Sequence, residues 1–359
     1  MTIGLYHPRT LAGDGGITRS VRSLSSAMTE AGFDNRVIFD GAGQADDMKT
    51  WVGIPHFETG PLSFPMGLSE VMTELRILVL HSAWVSYNVV AARIAASHGV
   101  PYVLAPRGGY EPRILQRRLA TKKAWWHLFE RRLVQRAAAI HVFFESQADQ
   151  IRQLGFDGPL IVAPNGVRVP GDISWDGGSS GALVYVGRFD PEAKGLDVLL
   201  EAMSLLPRGD RPQVLLCGPD WRGGKAEVAQ AVDRLSLRPW VEMRPPIYGR
   251  AKFELMASAK GFLYPSMFEA FGNSAAEAAS LGVPVLTGTY PLGEYLAERD
   301  AAIAASVRPE CLAEGLVRLS DPEAAVLGAN GREAMKPFSW TSVGKSWGSQ
   351  LMDLLAVNV

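Results

Sequence analysis

Leu263-Tyr264-Pro265-Ser266-Met267-Phe268-Glu269-Ala270-Phe271-Gly272-Asn273-Ser274-Ala275-Ala276-Glu277-Ala278-Ala279 decides the fold. An apolar run ends at a Pro-Ser turn, a loop carries Glu269 and Gly272, and a run of small residues then opens a helix. Gly272 lets the backbone come close to a ligand, and the first N–H groups of the helix point outward without intrahelical partners. A strand that breaks into a helix in this way offers a site for a phosphate group, and a diphosphate fits it. Glu277 falls in the first turns of the helix and Glu269 before it, so the two carboxylates need not share a face.

Upstream, Val184-Tyr185-Val186-Gly187-Arg188-Phe189-Asp190-Pro191-Glu192-Ala193-Lys194-Gly195-Leu196 repeats the plan. A strand terminates at Gly187, and a loop brings Arg188 and Lys194 before the next helix. Two cations after a strand suit a diphosphate leaving group, because they bind it and stabilise the charge that grows as its bond breaks. The alternation of short apolar runs with helical patterns extends from here in both directions. It predicts strands at 183–186, 214–217, 261–264, 283–286 and 301–304, with helices at 196–205, 225–236 and 274–281. In the first half the strands fall at 2–6, 36–39, 76–80, 102–105, 140–144 and 160–163, with helices at 19–31, 87–98 and 146–154. Such alternation predicts parallel sheets covered by helices on both faces.

Between Pro170 and Gly181 the composition turns to Pro, Gly, Asp and Ser, the best linker in the chain. The expected division is one Rossmann-like domain over 1–169 and a second over 182–338. Residues 339–359 space Trp340, Val343, Trp347, Leu351 and Leu354 as an amphipathic helix, expected to pack back on the first domain. The 359 residues suit two domains, with 47% apolar and 20% charged residues and a net charge of −1 that gives no footprint for nucleic acid. Cys217 and Cys311 are too few for a disulfide framework. The N-terminus opens on a strand-like run without the features of a signal peptide, and no run of about 20 apolar residues is present to span a bilayer. A cytoplasmic protein is expected. Gly344-Lys345-Ser346 ends like a P-loop, but Ser339 stands where that motif needs Gly. The His, Cys and acidic residues show no metal-ligand spacing, so no metal site is expected.

The first half adds weaker signals. Asp14-Gly15-Gly16-Ile17-Thr18 joins the first strand to the first helix without a full GxGxxG, which counts against a dinucleotide dehydrogenase. His81 ends a strand in Leu80-His81-Ser82-Ala83-Trp84, and Pro106-Arg107-Gly108-Gly109-Tyr110-Glu111-Pro112 follows the next one. From 107 to 136 there are nine Lys and Arg residues against two acids, with Leu115, Leu119, Trp126, Phe129 and Leu133 at roughly helical spacing. A basic, Trp-bearing amphipathic stretch over 113–136 suits either a helix packed on the core with a solvated basic face or contact with an anionic membrane surface.

Together these stretches resemble the GT-B glycosyltransferases, in particular the large retaining family 4. The resemblance rests on Gly187-Arg188 with Lys194-Gly195, on Pro265-Ser266 with Glu269, Phe271-Gly272 and Glu277, and on Gly282-Val283-Pro284-Val285. It implies an α/β GT-B fold of two Rossmann-like domains facing each other across a cleft, with 1–169 binding the acceptor and 182–338 the nucleotide-sugar donor. It also implies transfer of a hexosyl unit from a UDP- or GDP-sugar to a saccharide or lipid-linked acceptor, in exopolysaccharide or glycolipid assembly. No cofactor or metal is implied, the cations standing in for one, and the enzyme would be cytoplasmic or peripheral on the inner face of the membrane.

Residue by residue, the resemblance gives Arg188 and Lys194 the donor phosphates and Glu269 the hydroxyls of the transferred sugar. Gly187, Ala270, Phe271, Gly272 and Asn273 would line the donor site, Glu277 would bind the ribose, and Ile247 in the loop 244–248 would lie near the base. Gly15 and Gly16 would approach the donor diphosphate and the acceptor. His81 would lie near the transferred sugar, although Ser82 replaces the glycine that often follows it in such enzymes. Arg107 and Glu111 would lie near acceptor or donor. The alternatives are a non-catalytic partner of a transferase complex, or a phosphorylase or epimerase on the same fold.

Overall fold

The structure, a computed structural model, describes residues 2–8, 16–41, 51–59, 62–113 and 119–357. The chain divides into two compact units, one made of Met1–Gly166 with Phe338–Val359 and the other of Val167–Pro337. Both are parallel sheets flanked by helices, the architecture of the GT-B fold.

In the first unit the strands are β1 (Thr2–His7), β2 (Asn35–Asp40), β3 (Trp51–Ile54), β6 (Leu75–His81), β7 (Tyr102–Ala105), β8 (Ala139–Val142) and β9 (Leu160–Val162). They lie in the order β3-β2-β1-β6-β7-β8-β9, while β4 (His56–Thr59) and β5 (Leu62–Pro65) form a separate antiparallel hairpin. The side-chain period of two assigns alternate residues to two different cores. Ile77 and Val79 of β6 join one apolar cluster, with Ile3 and Leu5 of β1; Leu78 and Leu80 join the other, with Ile140 and Val142 of β8. Burial on both faces is why these strands read as continuous apolar runs.

Three strands of this unit escape the sequence reading. Gly53 interrupts β3, β4 carries His and Glu among its few residues, and β5 ends in Pro65, so none gives a clear apolar run or alternation.

The helix Gly16–Glu30 covers one face of this sheet, and the long helix Trp340–Val357 packs against it. Trp347, 1% exposed, stacks on the His141 ring with centroids 4.5 Å apart. Gly344 is the point of closest approach: a Cβ there would sit 2.5 Å from the Ala27 carbonyl carbon. The basic stretch enters as the helix Leu119–Trp125, a π-helical turn at Trp126–Glu130 and the helix Arg131–Gln135; residues 114–118 lie outside the described residues. Its aromatic side chains turn inward. Trp126 tilts against Trp84, and Trp125 donates to the buried Glu130 carboxylate at 2.9 Å. Backbone Trp84 and the Tyr110 hydroxyl also donate to Glu130, at 3.0 and 2.7 Å. Leu128, at 68%, is left exposed.

The second unit holds β10 (Leu183–Val186), β11 (Val214–Cys217), β12 (Val241–Arg244), β13 (Gly261–Tyr264), β14 (Val285–Gly288) and β15 (Ile303–Ala305), in the order β12-β11-β10-β13-β14-β15. Each sheet therefore reverses its building direction once, between β1 and β6 in the first unit and between β10 and β13 in the second. Loops leaving such a strand pair diverge to opposite faces and leave a crevice at the carboxyl ends.

Gly344→Val forces a branched side chain into the backbone of Ala27. It should destabilise the first unit by about 1–3 kcal/mol, seen as a lower unfolding midpoint. Lys345→Ala, at an exposed position one residue on, should leave the midpoint unchanged. Equal midpoints for the two variants would contradict this account of the packing.

Candidate active site

In the second unit the reversal point brings the two quoted stretches together. β10 delivers Gly187 and Arg188 from its carboxyl end, and its paired neighbour β13 delivers Tyr264-Pro265-Ser266. A short helical turn, Pro191–Lys194, is capped by Asp190, whose carboxylate accepts from the Ala193 N–H. Gly195 then takes φ 63°, and a Cβ there would stand 2.2 Å from the Pro265 carbonyl oxygen. Glycine is needed for both reasons. The close approach seats Lys194 against the strand-to-helix junction, where the Met267 N–H also bonds the Ala193 carbonyl at 3.1 Å.

Lys194 is buried and paired with Glu269. Its ammonium also donates to the Tyr264 hydroxyl at 3.2 Å and lies 5.1 Å from that ring's centroid. The Ser266 hydroxyl donates to Glu269 at 2.9 Å, and the Tyr264 hydroxyl bonds the same carboxylate. Burial, then the Glu269 charge, pushes the Tyr264 hydroxyl well above its ordinary range, so it keeps its proton. Glu269 is thus oriented by three side chains. Gly272, at φ 96°, turns the chain into the helix Asn273–Leu281 and rests against the buried ring of Tyr290, whose hydroxyl has no partner among the described residues. Ala270 and Phe271 complete the loop, and Asn273 is exposed at the helix start.

Glu277 is not alone, as it is in the sequence. Lys252, from the helix Gly249–Ser258, donates to it at 2.7 Å, and both side chains are largely covered. Arg188 is exposed, its guanidinium lying over Trp221 at 4.3 Å from the centroid. Ile247 is half-buried in the loop between β12 and the Lys252 helix. The charges at the junction leave an excess of one positive, since Arg188 and Lys194 face Glu269 while Lys252 and Glu277 cancel. The partial positive charge at the helix start adds to it. The arrangement suits a ligand bearing two negative charges.

In the first unit His7 ends β1 and His81 ends β6, the two strands at that sheet's reversal point, with ring centroids 6.4 Å apart. His81 is fully buried. Burial and the Arg107 charge hold its imidazole well below the ordinary range, hence neutral. Arg107 approaches its Nδ1 with Nε and Nη2, each at 3.3 Å, and donates from Nη1 to the Asn165 side-chain Oδ1 at 3.0 Å. Burial lowers the guanidinium to about 10, so it stays cationic at neutral pH. Ser82 (φ 76°), Trp84 (φ 63°) and Arg107 (φ 51°) all take left-handed conformations, which concentrates backbone strain after β6 and β7. Arg107 and Glu111 line one concavity with His141 and Phe143, and Glu111 also accepts from the Arg113 N–H at 2.8 Å. Gly16 opens the helix after β1 on an exposed position, and Gly15 lies outside the described residues. Among the described residues no cluster of His, Cys, Asp and Glu is arranged to hold a metal ion.

Lys252, Tyr290 and Asn165 are absent from the sequence reading, and Tyr264 and Ser266 appear there only as part of a turn. Lys252 stands among Arg250 and Glu254, where nothing separates it from a solvated charge. Asn165, in Pro164-Asn165-Gly166, reads as a turn residue.

Ser82→Gly should raise the unfolding midpoint. It relieves a left-handed conformation worth about 1–2 kcal/mol and removes a buried hydroxyl without a partner among the described residues. The added chain entropy, about 0.5–1 kcal/mol, offsets only part. A lower midpoint would show that the Ser82 side chain stabilises the turn.

Residues 15–166 match the model of a glycosyl transferase 4-like domain, and residues 180–321 that of glycosyl transferases group 1. The O-antigen chain mannosyltransferase B of Escherichia coli is 35% identical over 107 residues, 30% of this chain; the chain thus spans only 28% of that protein's length. The GDP-mannose:cellobiosyl-diphosphopolyprenol alpha-mannosyltransferase of Xanthomonas oryzae pv. oryzae is 22% identical over 289 residues, 79% of this chain and 75% of that one. Two solved structures share the fold over nearly their whole lengths. The sucrose-phosphate synthase of Thermosynechococcus elongatus has a TM-score of 0.76 at 19% identity, covering 99% of both chains. The HepE protein of Anabaena, solved with UDP and glucose, has a TM-score of 0.73 at 18% identity, covering 98% of this chain and 100% of that one. The chain belongs to the GT-B glycosyltransferases, with a glycosyl transferase 4-like domain in its first half and a group 1 glycosyl transferase domain in its second.

Proposed function

We propose that the protein transfers a hexosyl unit from a nucleoside diphosphate sugar to a hydroxyl of a saccharide or lipid-linked saccharide, with retention at the anomeric carbon and as a member of family 4. The observation that carries this reading is the Lys194–Glu269 pair beside Arg188 at the β10/β13 reversal, facing the start of the helix Asn273–Leu281. The donor's diphosphate replaces part of that internal pairing. Lys194 and Arg188 turn to the phosphates, while Glu269, held by Ser266 and Tyr264, is freed to accept from hydroxyls of the sugar. Glu277, braced by Lys252, accepts from the ribose. Tyr290 offers an additional buried hydroxyl beneath Gly272.

The glycosidic bond from the anomeric carbon to the phosphate oxygen breaks as the acceptor oxygen bonds to the same face of that carbon. The acceptor's proton passes to the departing phosphate. The cations stabilise the charge on the leaving group, in the place where a metal ion serves other transferases, so the reaction proceeds without metal. Three donors already occupy Glu269, which favours a positioning role over that of a covalent nucleophile. Relatives named for mannosyl transfer, one from GDP-mannose to a diphosphopolyprenol-linked sugar, make GDP-mannose and a lipid-linked acceptor the first pair to test. No helix of the described residues is long and apolar enough to cross a membrane. Leu128 with the exposed Lys123, Arg131, Arg132 and Arg136 gives the chain a face suited to an anionic inner leaflet, where such an acceptor would lie in exopolysaccharide or glycolipid assembly.

Calorimetry with GDP, UDP, ADP and their sugar conjugates, in the presence of chelator, should find one nucleotide that binds clearly. Transfer to a lipid-linked saccharide should then give a product with the donor's anomeric configuration. Lys194→Ala and Glu269→Gln should each lower kcat by about 10²–10³-fold, assayed below their unfolding midpoints. Lys252→Ala should act mainly on the donor's KM, raising it about tenfold, equivalent to about 1.4 kcal/mol of binding. A folded protein that binds none of these nucleotides would be a non-catalytic partner instead. Free sugar phosphate, or epimerised donor without acceptor, would replace transfer by phosphorolysis or epimerisation.

A further inference from the structure

His81 poses a chemical question that its burial does not answer. An imidazole has two neutral forms, and only one carries its proton on Nε2. Arg107 has no acceptor atom, and it approaches Nδ1 with two N–H groups. Nδ1 must therefore offer its lone pair, which places the proton on Nε2. That Nε2 is buried and without a hydrogen-bond partner among the described residues. It sits at the carboxyl end of β6, beside the reversal of the sheet.

Arg107 is itself firmly placed. It donates to Asn165, its guanidinium lies 5.4 Å from the Phe143 ring centroid, and its backbone holds a left-handed conformation. We propose that Arg107 is a positioning residue, which locks His81 as the Nε2–H tautomer so that a neutral donor awaits an oxygen of a bound substrate. The inference rests on the glycosyltransferase reading above for the identity of that substrate, but the tautomer does not depend on it. The charged and titratable groups facing His81 are Arg107 after β7, His7 on β1 and His141 on β8. Each, like burial, disfavours a proton on Nδ1 that would make the ring cationic. His141 is set by a different device: its Nε2 donates to the Ala163 carbonyl at 2.7 Å, which leaves its Nδ1 bare.

The contrast with an unconstrained histidine is what makes the arrangement useful. A free imidazole near neutral pH interchanges tautomers and titrates. A substrate oxygen would then meet a donor, a bare nitrogen or a cation in turn. Arg107 removes two of the three.

The test is long-range proton–nitrogen correlation of side chains in full-length protein labelled with nitrogen-15 histidine, with the His81 signals assigned by His81→Gln. The wild type should show Nε2 protonated and Nδ1 bare, unchanged between about pH 6 and 8. Arg107→Met should give a mixture of tautomers and move any His81 titration to higher pH, since a neighbouring positive charge is lost. Arg107→Lys, which still donates to Nδ1, should restore the wild-type pattern. In turnover, Arg107→Met should lower kcat/KM for the nucleotide sugar about tenfold, equivalent to about 1.4 kcal/mol, and Arg107→Lys should recover most of it. An Nδ1–H form in the wild type, or an unchanged Nε2–H form in Arg107→Met, overturns the inference whatever the activity. The expected tautomers in a protein that turns over no nucleotide sugar would uphold the lock and sink the transferase reading.

Discussion

Parallel strands cannot be joined by tight turns; every one of them must return through a crossover on the face of the sheet. In this chain that constraint sends the loops with the distinctive chemistry to the carboxyl edges. It also fixes where they gather, because crossovers keep one hand and the strand order can reverse only where building changes direction. The β10/β13 and β1/β6 pairs are those places. Arg188, Lys194 and Glu269 collect at one, and His7 and His81 at the other. The rest of each unit, the apolar layers above and below the strands, serves to hold those edges still.

At the β10/β13 edge the protein keeps its charges occupied. Lys194 is taken up by Glu269 and Tyr264, Glu277 by Lys252, and Arg188 lies over Trp221. A buried ammonium left without a counter-charge would be costly, so internal pairing is what lets Lys194 stand in a covered place at all. It also sets the exchange that an anion bound there would make: each new contact would displace an existing one. Discrimination would then follow from how well the newcomer replaces what it displaces, which an uncharged sugar alone would not do.

The two junctions of the second unit were legible because their signals are local. Apolar runs, a glycine after each strand, two cations and a small-residue helix all fall within a few positions of one another. The partners across the sheet were not. Lys194 and Glu269 are 75 residues apart, and His81 and Arg107 are 26 apart. What brings them together is strand order, which no local period records. The strands over 51–54, 56–59 and 62–65 were missed because each is four residues long and mixes Gly, Pro or charge with its apolar positions. In the basic stretch the spacing of Trp126 and Phe129 was read correctly as a helical face. Their engagement with Trp84 and with the core could not be, since Trp84 lies on a left-handed turn with no sequence signature of its own. Glu130 shows the same limit: in the sequence it is one acid among cations, in the fold a buried acceptor for three donors.

The first unit is built from two separated lengths of chain, with the whole of the second unit between them. During synthesis the seven-stranded sheet of this unit leaves the ribosome with Trp347's place against His141 still empty. At the usual rates of translation the helix that fills it arrives roughly ten seconds or more later. Over that interval one apolar layer, Ile3, Val79 and Ile161 among it, lacks part of its cover. The nascent first unit therefore exposes apolar surface until synthesis ends, while the second unit, continuous in the chain, has all of its core residues before then.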